Sequence, residues 1–282
     1  MTVYLFPSDP LGRGFSADPQ FERMFELVQE KGLDYGFLDH DHLTRHGEAK
    51  LRFSKFADLS AGVEYRGWMM LPEEYAILST ALTEAGSHLL TTPTQFVTAH
   101  AADGWTEALE GLIPPTVLVH QYELDELDER AATLGVEEFF VKDYTKSVPE
   151  ACHAYGLNGN ESLRNVAQRL IELREGWFAG GLVIREWKPP VGNTELRTWW
   201  RDGEFKALTV HPNSNRDDEK QIPEELLNEV SSKLSALGLR FVTVDWMETN
   251  DGWKVVEVGD GQVSEPAASV TRDELVSLLG LD

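Results

Sequence analysis

The chain has 282 residues, with 48 acidic side chains against 25 basic ones and a formal net charge of −23 at pH 7. That balance excludes the broad basic surface on which non-specific binding of nucleic acid or anionic lipid rests, so neither is expected as a partner. There is no run of about eighteen apolar residues, so no transmembrane helix is expected. A single cysteine, Cys152, rules out an internal disulfide and suits a reducing cytoplasm.

The N-terminus, Met1 to Pro7, lacks the basic region and long apolar core of a signal peptide. Residues 2–6 read as a first strand. Asp18-Pro19 opens a helix with Phe21, Met24, Phe25 and Val28 on one stripe, ended by Gly32. Tyr35 to Leu38 is a second strand, 39–62 an irregular stretch, and Val63 to Met70 a third strand. Pro72 to Ala85 is a helix, and His88 to Leu90 a candidate fourth strand. Strand–helix–strand order implies an N-terminal α/β domain with a largely parallel sheet.

A turn-rich connector follows, with a short helix expected near Trp105 to Glu110. Val117 to Val119 is a strand, Leu124 to Leu134 a helix, and Phe139 to Lys142 a strand that ends in a lysine. The polar loop 143–160 precedes an amphipathic helix, Glu161 to Arg174. Gly181 to Trp187 is a strand stopped by Pro189-Pro190. Glu195 to Trp200 and Glu204 to Val210 form a hairpin around Asp202-Gly203. Pro223 to Leu237 is a helix, and Thr271 to Glu274 a capping box for a last one.

Between those two helices lies the most informative stretch. Phe241 to Asp245 and Lys254 to Gly261 flank a turn at Asn250-Asp251-Gly252, a second hairpin. Each strand carries one acid inside an apolar run, Asp245 and Glu257. Antiparallel pairing can set these across from each other, where two carboxylates repel unless a cation or shared proton relieves them. Hard oxygen donors with no cysteine or histidine beside them suit magnesium. Two solvent-facing acids are the alternative.

Three cations lie in or at the end of apolar strands: Lys142, Arg185 and Arg197. Buried cations need anionic partners. The hairpin acids could serve, or a metal-bound phosphate chain could satisfy both sets. At −23, a polyphosphate would have to be met by such a small local cluster. No Gly-rich phosphate loop and no dinucleotide fingerprint is present. His40, Asp41, His42 and His46 could ligate a metal or simply form a polar loop. Cys152-His153 reads better as an inert thiol than as a nucleophile pair. Trp187, Trp199, Trp200 and Trp253 are core or pocket residues. Arg66 is the best polar candidate of the N-terminal domain, facing either an interdomain cleft or solvent.

The order of these features resembles an ATP-grasp enzyme. The finer pattern is similar to a divergent ATP-grasp clade named for two arginines and a lysine. It is carried by 65–69, 141–147, 150–152, 197–200, 241–245 and 255–263. The resemblance implies an N-terminal α/β pre-ATP-grasp domain (1–95), a linker and central lid (96–184) and a C-terminal α+β subdomain (185–282). ATP and Mg2+ would lie between the last two. Lys142 resembles the lid lysine on the ATP phosphates. Glu186 and Trp187 resemble the hinge strand whose backbone receives adenine. Arg197 resembles the arginine that reaches the phosphates or the acyl phosphate, and Arg185 would complete the clade's cations. Asp245 and Glu257 match the magnesium-binding Asp and Glu. The usual Asn falls at Gly259, which makes Asp260 the natural substitute.

The implied reaction is ATP-dependent amide or peptide bond formation between a carboxylate and an amine through an acyl phosphate. The alternative is a nucleotide-binding module that has lost ligase chemistry and works through a partner, for which Gly259 is the motive. Substrate contacts are expected from Arg66 and the polar loop near Arg13. A homodimer is compatible with all of this.

Overall fold

A computed structural model describes residues 2–12, 15–145, 148–214 and 220–281; the segment at Arg13 and the pair Lys146-Ser147 lie outside the described residues. It is a mixed α/β protein with three four-stranded sheets.

The N-terminal sheet has the order β3-β2-β1-β4, from β1 (Val3–Pro7), β2 (Tyr35–Leu38), β3 (Leu51–Phe53) and β4 (Val63–Tyr65). Strand β1 runs parallel to β2 and β4, while β3 closes the edge antiparallel. Helix α1 (Glu22–Glu30) buries Met24, Leu27 and Val28. The stretch expected to be irregular holds both β3 and a short helix, α2 (His40–His46), capped by Asp39, whose side chain accepts from the His42 N–H. That helix buries only Leu43, so it leaves no apolar stripe to read. The third strand stops at Tyr65, five residues short of expectation. A Cβ at Gly67 would collide with the Tyr65 hydroxyl, and the chain turns there. In 88–90 only Leu89 bridges, to Val63. Helices α3 (Pro72–Glu84) and α4 (Pro93–His100) follow.

The helix expected at Trp105 to Glu110 is instead a chain of turns after a single 3-10 turn, Ala102–Gly104. Trp105, Leu109, Leu112 and Ile113 are all buried, so the apolar spacing reports burial without helix. The central sheet, order β5-β8-β6-β7, is antiparallel throughout. It comprises β5 (Thr116–His120), β6 (Glu138–Asp143), β7 (His153–Tyr155) and β8 (Gly181–Glu186), with α5 (Leu127–Ala132) and α6 (Leu163–Arg174). Val119, Phe139, Val141, Leu182 and Ile184 form a separate core with Leu163, Val166 and Leu170 of α6.

The C-terminal sheet has the order β10-β9-β11-β12, again antiparallel. Its strands are β9 (Pro190–Arg201), β10 (Glu204–Val210), β11 (Phe241–Thr249) and β12 (Gly252–Asp260). Helices α7 (Glu224–Ala236) and α8 (Arg272–Leu279) accompany them. Both expected hairpins form. The first turns on Asp202 at φ 50 and Gly203 at φ 79, the mirror-image turn that matches strand twist. Strand β8 stops at Glu186, ahead of Pro189-Pro190 as expected, and pairing then resumes in the C-terminal sheet. Strand β9 starts at Pro190 and pairs with β11 as an edge extension, where a missing N–H costs no ladder bond.

The largest core cluster runs from Tyr4 and Phe6 through Trp105 to Trp199, Trp200 and Trp246. Across it, Arg201 grips Glu64 with both Nη atoms, at 2.9 and 2.6 Å, and gives Nε to the Leu278 carbonyl. Both side chains are buried. A buried pair of this kind adds little net stability but makes other packings expensive. It sets how the N-terminal sheet sits against the C-terminal one.

Candidate active site

The site begins with register. Asp245 on β11 pairs directly with Glu257 on β12 and, on its other side, with Arg197 on β9. Directly paired residues share a face, so three charged side chains meet on one row of the sheet. The two acids separated by twelve residues in sequence are cross-strand neighbours, as the hairpin pattern implies.

Each acid carries a cation. Arg197 binds Asp245 in a fork, Nε to Oδ1 at 2.7 Å and Nη2 to Oδ2 at 2.8 Å. Lys142, from β6 of the central sheet, reaches Glu257 Oε2 at 2.6 Å. Val183 pairs with Lys142, and Arg185 lies two residues further along β8, so both cations leave the same face of the central sheet. Arg185 donates Nη1 to the Val256 carbonyl at 2.5 Å, while its Nε and Nη2 are buried with no hydrogen-bond partner among the described residues. Its guanidinium stands over the Trp105 ring. Burial pulls the Arg185 pKa down to about 10, with Glu257 opposing. For Arg197, burial is outweighed by Asp245, and the guanidinium is held above its ordinary range. For Glu257, burial is outweighed by Lys142 and Arg197, and the carboxyl is held low.

Two residues that the sequence did not single out join this row. Glu195 lies two positions before Arg197 on β9, on the same face. His211 follows β10 and donates its backbone N–H to the Glu195 carbonyl. Glu195, His211 and Asp245 each bring a donor atom within 4.8 Å of the others. Burial, then Asp245 and Glu257, push the Glu195 carboxyl up to about 8. Fully ionised, the three carboxylates would outnumber the two cations paired with them, and the oxygen and imidazole donors fit a divalent ion. A signal was available for Glu195, since Glu195-Leu196-Arg197 repeats the i, i+2 pattern of one strand face. His211 gave none, because its position depends on the hairpin register.

The row opens on a cleft of about 1000 Å³ between the N-terminal and C-terminal sheets, lined also by Trp68, Met69, Thr145 and Glu265. A family model for the ATP-grasp domain, family 3 of the clade named for two arginines and a lysine, matches residues 127–279, more than half of the chain. The chain belongs to the ATP-grasp family. The ATP-grasp fold is that of carbon–nitrogen ligases, and the chain is an enzyme of that kind. Solved structures similar to it include D-cycloserine synthetase DcsG, at TM-score 0.65 and 16% identity, covering 100% of this chain and 98% of that one. D-alanine–D-alanine ligase from Bacillus anthracis matches at TM-score 0.59 and 14% identity, over 99% and 96%. The ATP-grasp ligase PsnB, complexed with minimal precursor, Mg and ADP, matches at TM-score 0.57 and 13% identity, over 99% and 98%. No curated protein matches the chain by sequence.

The other site residues expected of an ATP-grasp chain are placed as follows. Asp260 lies three residues beyond Glu257, so the pleat turns it to the opposite face of the sheet. Its Oδ1 accepts from the Gln262 backbone N–H and side chain, and its buried Oδ2 has no hydrogen-bond partner among the described residues. It does not join the Asp245–Glu257 row. Arg66 is buried at the junction of the N-terminal and C-terminal parts. Nη1 is donated to the Gly261 carbonyl, and Nη2 to the Ser264 carbonyl at 3.3 Å. Its donors hold the 261–264 turn in place and leave only Nε, buried, without a partner. The N–H groups of Glu186 and Trp187 go to the Pro115 and Glu138 carbonyls. The Glu186 carboxylate pairs with Lys188, which also reaches Asp251. Trp187 stacks on His153 with ring centres 4.0 Å apart. That stack, with burial raising the Cys152 thiol, leaves Cys152-His153 as an inert pair. Trp199 and Trp200 are core. His42 bonds Glu48 and lies against His46 with the two rings tilted by 39°, and among the described residues the three-donor group is the one at Glu195, not here.

Burial raises Asp260 to about 7, against the lowering bonds from Gln262 and the charge of Arg66. The folded state therefore holds this proton more tightly than the unfolded chain, whose aspartate titrates near 3.9. Stability from this group is complete below about pH 4 and is lost as pH rises through about 7. The melting temperature of the nucleotide-free protein should fall between about pH 4 and 7. Asp260→Asn should flatten that slope in a melting series, with Glu195 accounting for what remains.

Proposed function

We propose that the protein is an ATP-dependent carboxylate–amine ligase that forms an amide or peptide bond through an acyl phosphate and releases ADP and phosphate. The observation that carries this reading is the row Glu257–Asp245–Arg197, closed by Lys142 from the central sheet, at the wall of a large cleft. Asp245 and Glu257 would hold magnesium, with Glu195 and His211 within reach. An ion held by these residues would supply positive charge to offset that of the phosphates.

The chain's own residues do the rest by exchange of partners. In the nucleotide-free site each cation neutralises an acid. With nucleotide present, Lys142 and Arg197 turn to phosphate oxygens, and Arg185, with two unspent donors, has the same capacity. The substrate carboxylate attacks the γ-phosphorus, ADP departs, and the amine displaces phosphate from the acyl carbon. Positioning and charge stabilisation suffice for these steps. The central sheet, on residues 116–186, would close as a lid over a nucleotide held against the C-terminal sheet, excluding water from the acyl phosphate. The half-buried aromatic face of Phe140 and Trp187 suits an adenine ring. The lone Cys152 fits a reducing cytoplasm.

The test is ADP and phosphate release with pooled amino acids and short peptides as carboxylate and amine donors. Phosphate release that needs both donors supports the ligase. ATP binding with no ADP formed against any pair would favour the binding-module reading, for which Gly259 is the motive.

A further inference from the structure

The row has a gap at Gly259. Gly259 lies on the same face as Glu257, paired with Thr243. A Cβ built there would stand 3.1 Å from Thr243 Oγ1 and 3.4 Å from Ser264 Oγ. Those two hydroxyls are bonded to each other at 2.9 Å and occupy the space a side chain would need. Strand β12 therefore supplies one carboxylate to this face and no second donor. The additional donors converge from the opposite flank. Glu195 comes from β9, and His211 follows β10, each within 4.8 Å of Asp245.

We propose that Glu195, His211 and Asp245 hold a divalent ion of mixed nitrogen and oxygen preference, so that this site favours a later first-row metal such as Co2+ over Mg2+. The inference deepens the ligase reading and rests on it for the ion's role, not for its binding. Magnesium favours all-oxygen shells that keep several waters. An imidazole donor moves a site toward the later first-row ions. The backbone bond from His211 to Glu195 ties the two residues to one register, so the donors are spaced by the sheet and not by a loose loop. His211 Nδ1 accepts the Asn213 N–H at 3.2 Å. Capturing an ion at Nδ1 exchanges that long bond for a metal bond. Capture at Nε2 needs the ring proton to move to Nδ1. Asp245 keeps its Arg197 fork while offering its remaining lone pairs, since each carboxylate oxygen accepts more than one bond.

The experiment titrates Co2+ and Mg2+ separately into full-length, nucleotide-free protein. It compares the wild type with His211→Ala and Glu195→Gln, and records the electron spin echo modulation of bound Mn2+. The wild type should bind Co2+ more tightly than Mg2+ and show nitrogen modulation from imidazole. His211→Ala should lose the nitrogen signal and at least about tenfold in Co2+ affinity, the loss that even a second-sphere partner produces, with Mg2+ binding little changed. Glu195→Gln should weaken both ions. Melting curves establish that both variants fold, which the partial exposure of both residues favours. A wild type without nitrogen modulation, or a His211→Ala protein with unchanged Co2+ affinity, overturns the proposal. Turnover is not read in this test. An ADP-silent protein that shows the nitrogen signal keeps the metal site and loses the ligase, and an active one without the signal does the reverse.

Discussion

Glu257→Gln is expected to reduce ADP formation by on the order of 100-fold or more, the scale seen when one preorganised charged or polar contact to a developing charge is removed. The substitution keeps the side chain's shape and removes its charge. Two effects follow. The metal-binding row loses one of its cross-strand acids, so magnesium-dependent ATP binding should weaken in a titration. Lys142, which is 1% exposed, loses the anion that it contacts at 2.6 Å. Stranding a buried charge costs about 3–5 kcal/mol when both partners are buried. Glu257 opens to the cleft with 36% of its side chain exposed, so water offsets part of that loss. The protein should therefore still fold, with a lowered melting temperature. Lys142→Met gives the opposite balance. Glu257 is left facing water, so stability should hold while turnover is lost. Intact turnover in Glu257→Gln would remove the metal site from this row.

Asp245→Asn is the second large effect, and here stability and activity fall together. The Arg197–Asp245 fork is buried on both sides, with side chains 10% and 5% exposed. Removing one partner leaves Arg197 charged and largely buried without its carboxylate, a loss of about 3–5 kcal/mol by chemical denaturation. Turnover should vanish with it, since Asp245 binds Arg197 and lies within 4.8 Å of the Glu195 and His211 donor atoms. The double variant Asp245→Leu with Arg197→Met separates the two roles. Well-packed apolar pairs commonly replace buried ion pairs without loss of stability. That protein should regain most of the melting temperature and none of the activity. If it recovers activity as well, the pair is structural.

Much of this site was legible before any coordinates. Alternation around Asn250-Asp251-Gly252 and Asp202-Gly203 sets two hairpins, and hairpin register is a local property of turn and strand. It follows that Asp245 and Glu257 meet, as they do. Acids and cations inside apolar strands also stand out, because an unpaired buried charge is costly. The capping box at Thr271 and Glu274 is equally local, and it forms. Where the sequence misled, the cause was distance along the chain. Trp105, Leu109 and Leu112 have helical spacing, yet they pack from a run of turns because the core of two sheets surrounds them.

The sequence by itself therefore determined the two C-terminal hairpins, the last helix's cap and the inventory of charges, since each depends on residues within one hairpin or one helix. Only the tertiary structure decided which charge meets which. Lys142 and Glu257 are 115 positions apart, and Arg201 and Glu64 are 137 apart. Such pairs have no local signature: either acid could have taken any other cation, or water. Asp260 shows the same limit. It stands beside the residue where the pattern wanted a ligand, but the pleat of β12 sends its carboxyl to the opposite face. Glu195 and His211 enter the row because three strands align in register, and alignment of strands is a property of the folded sheet alone.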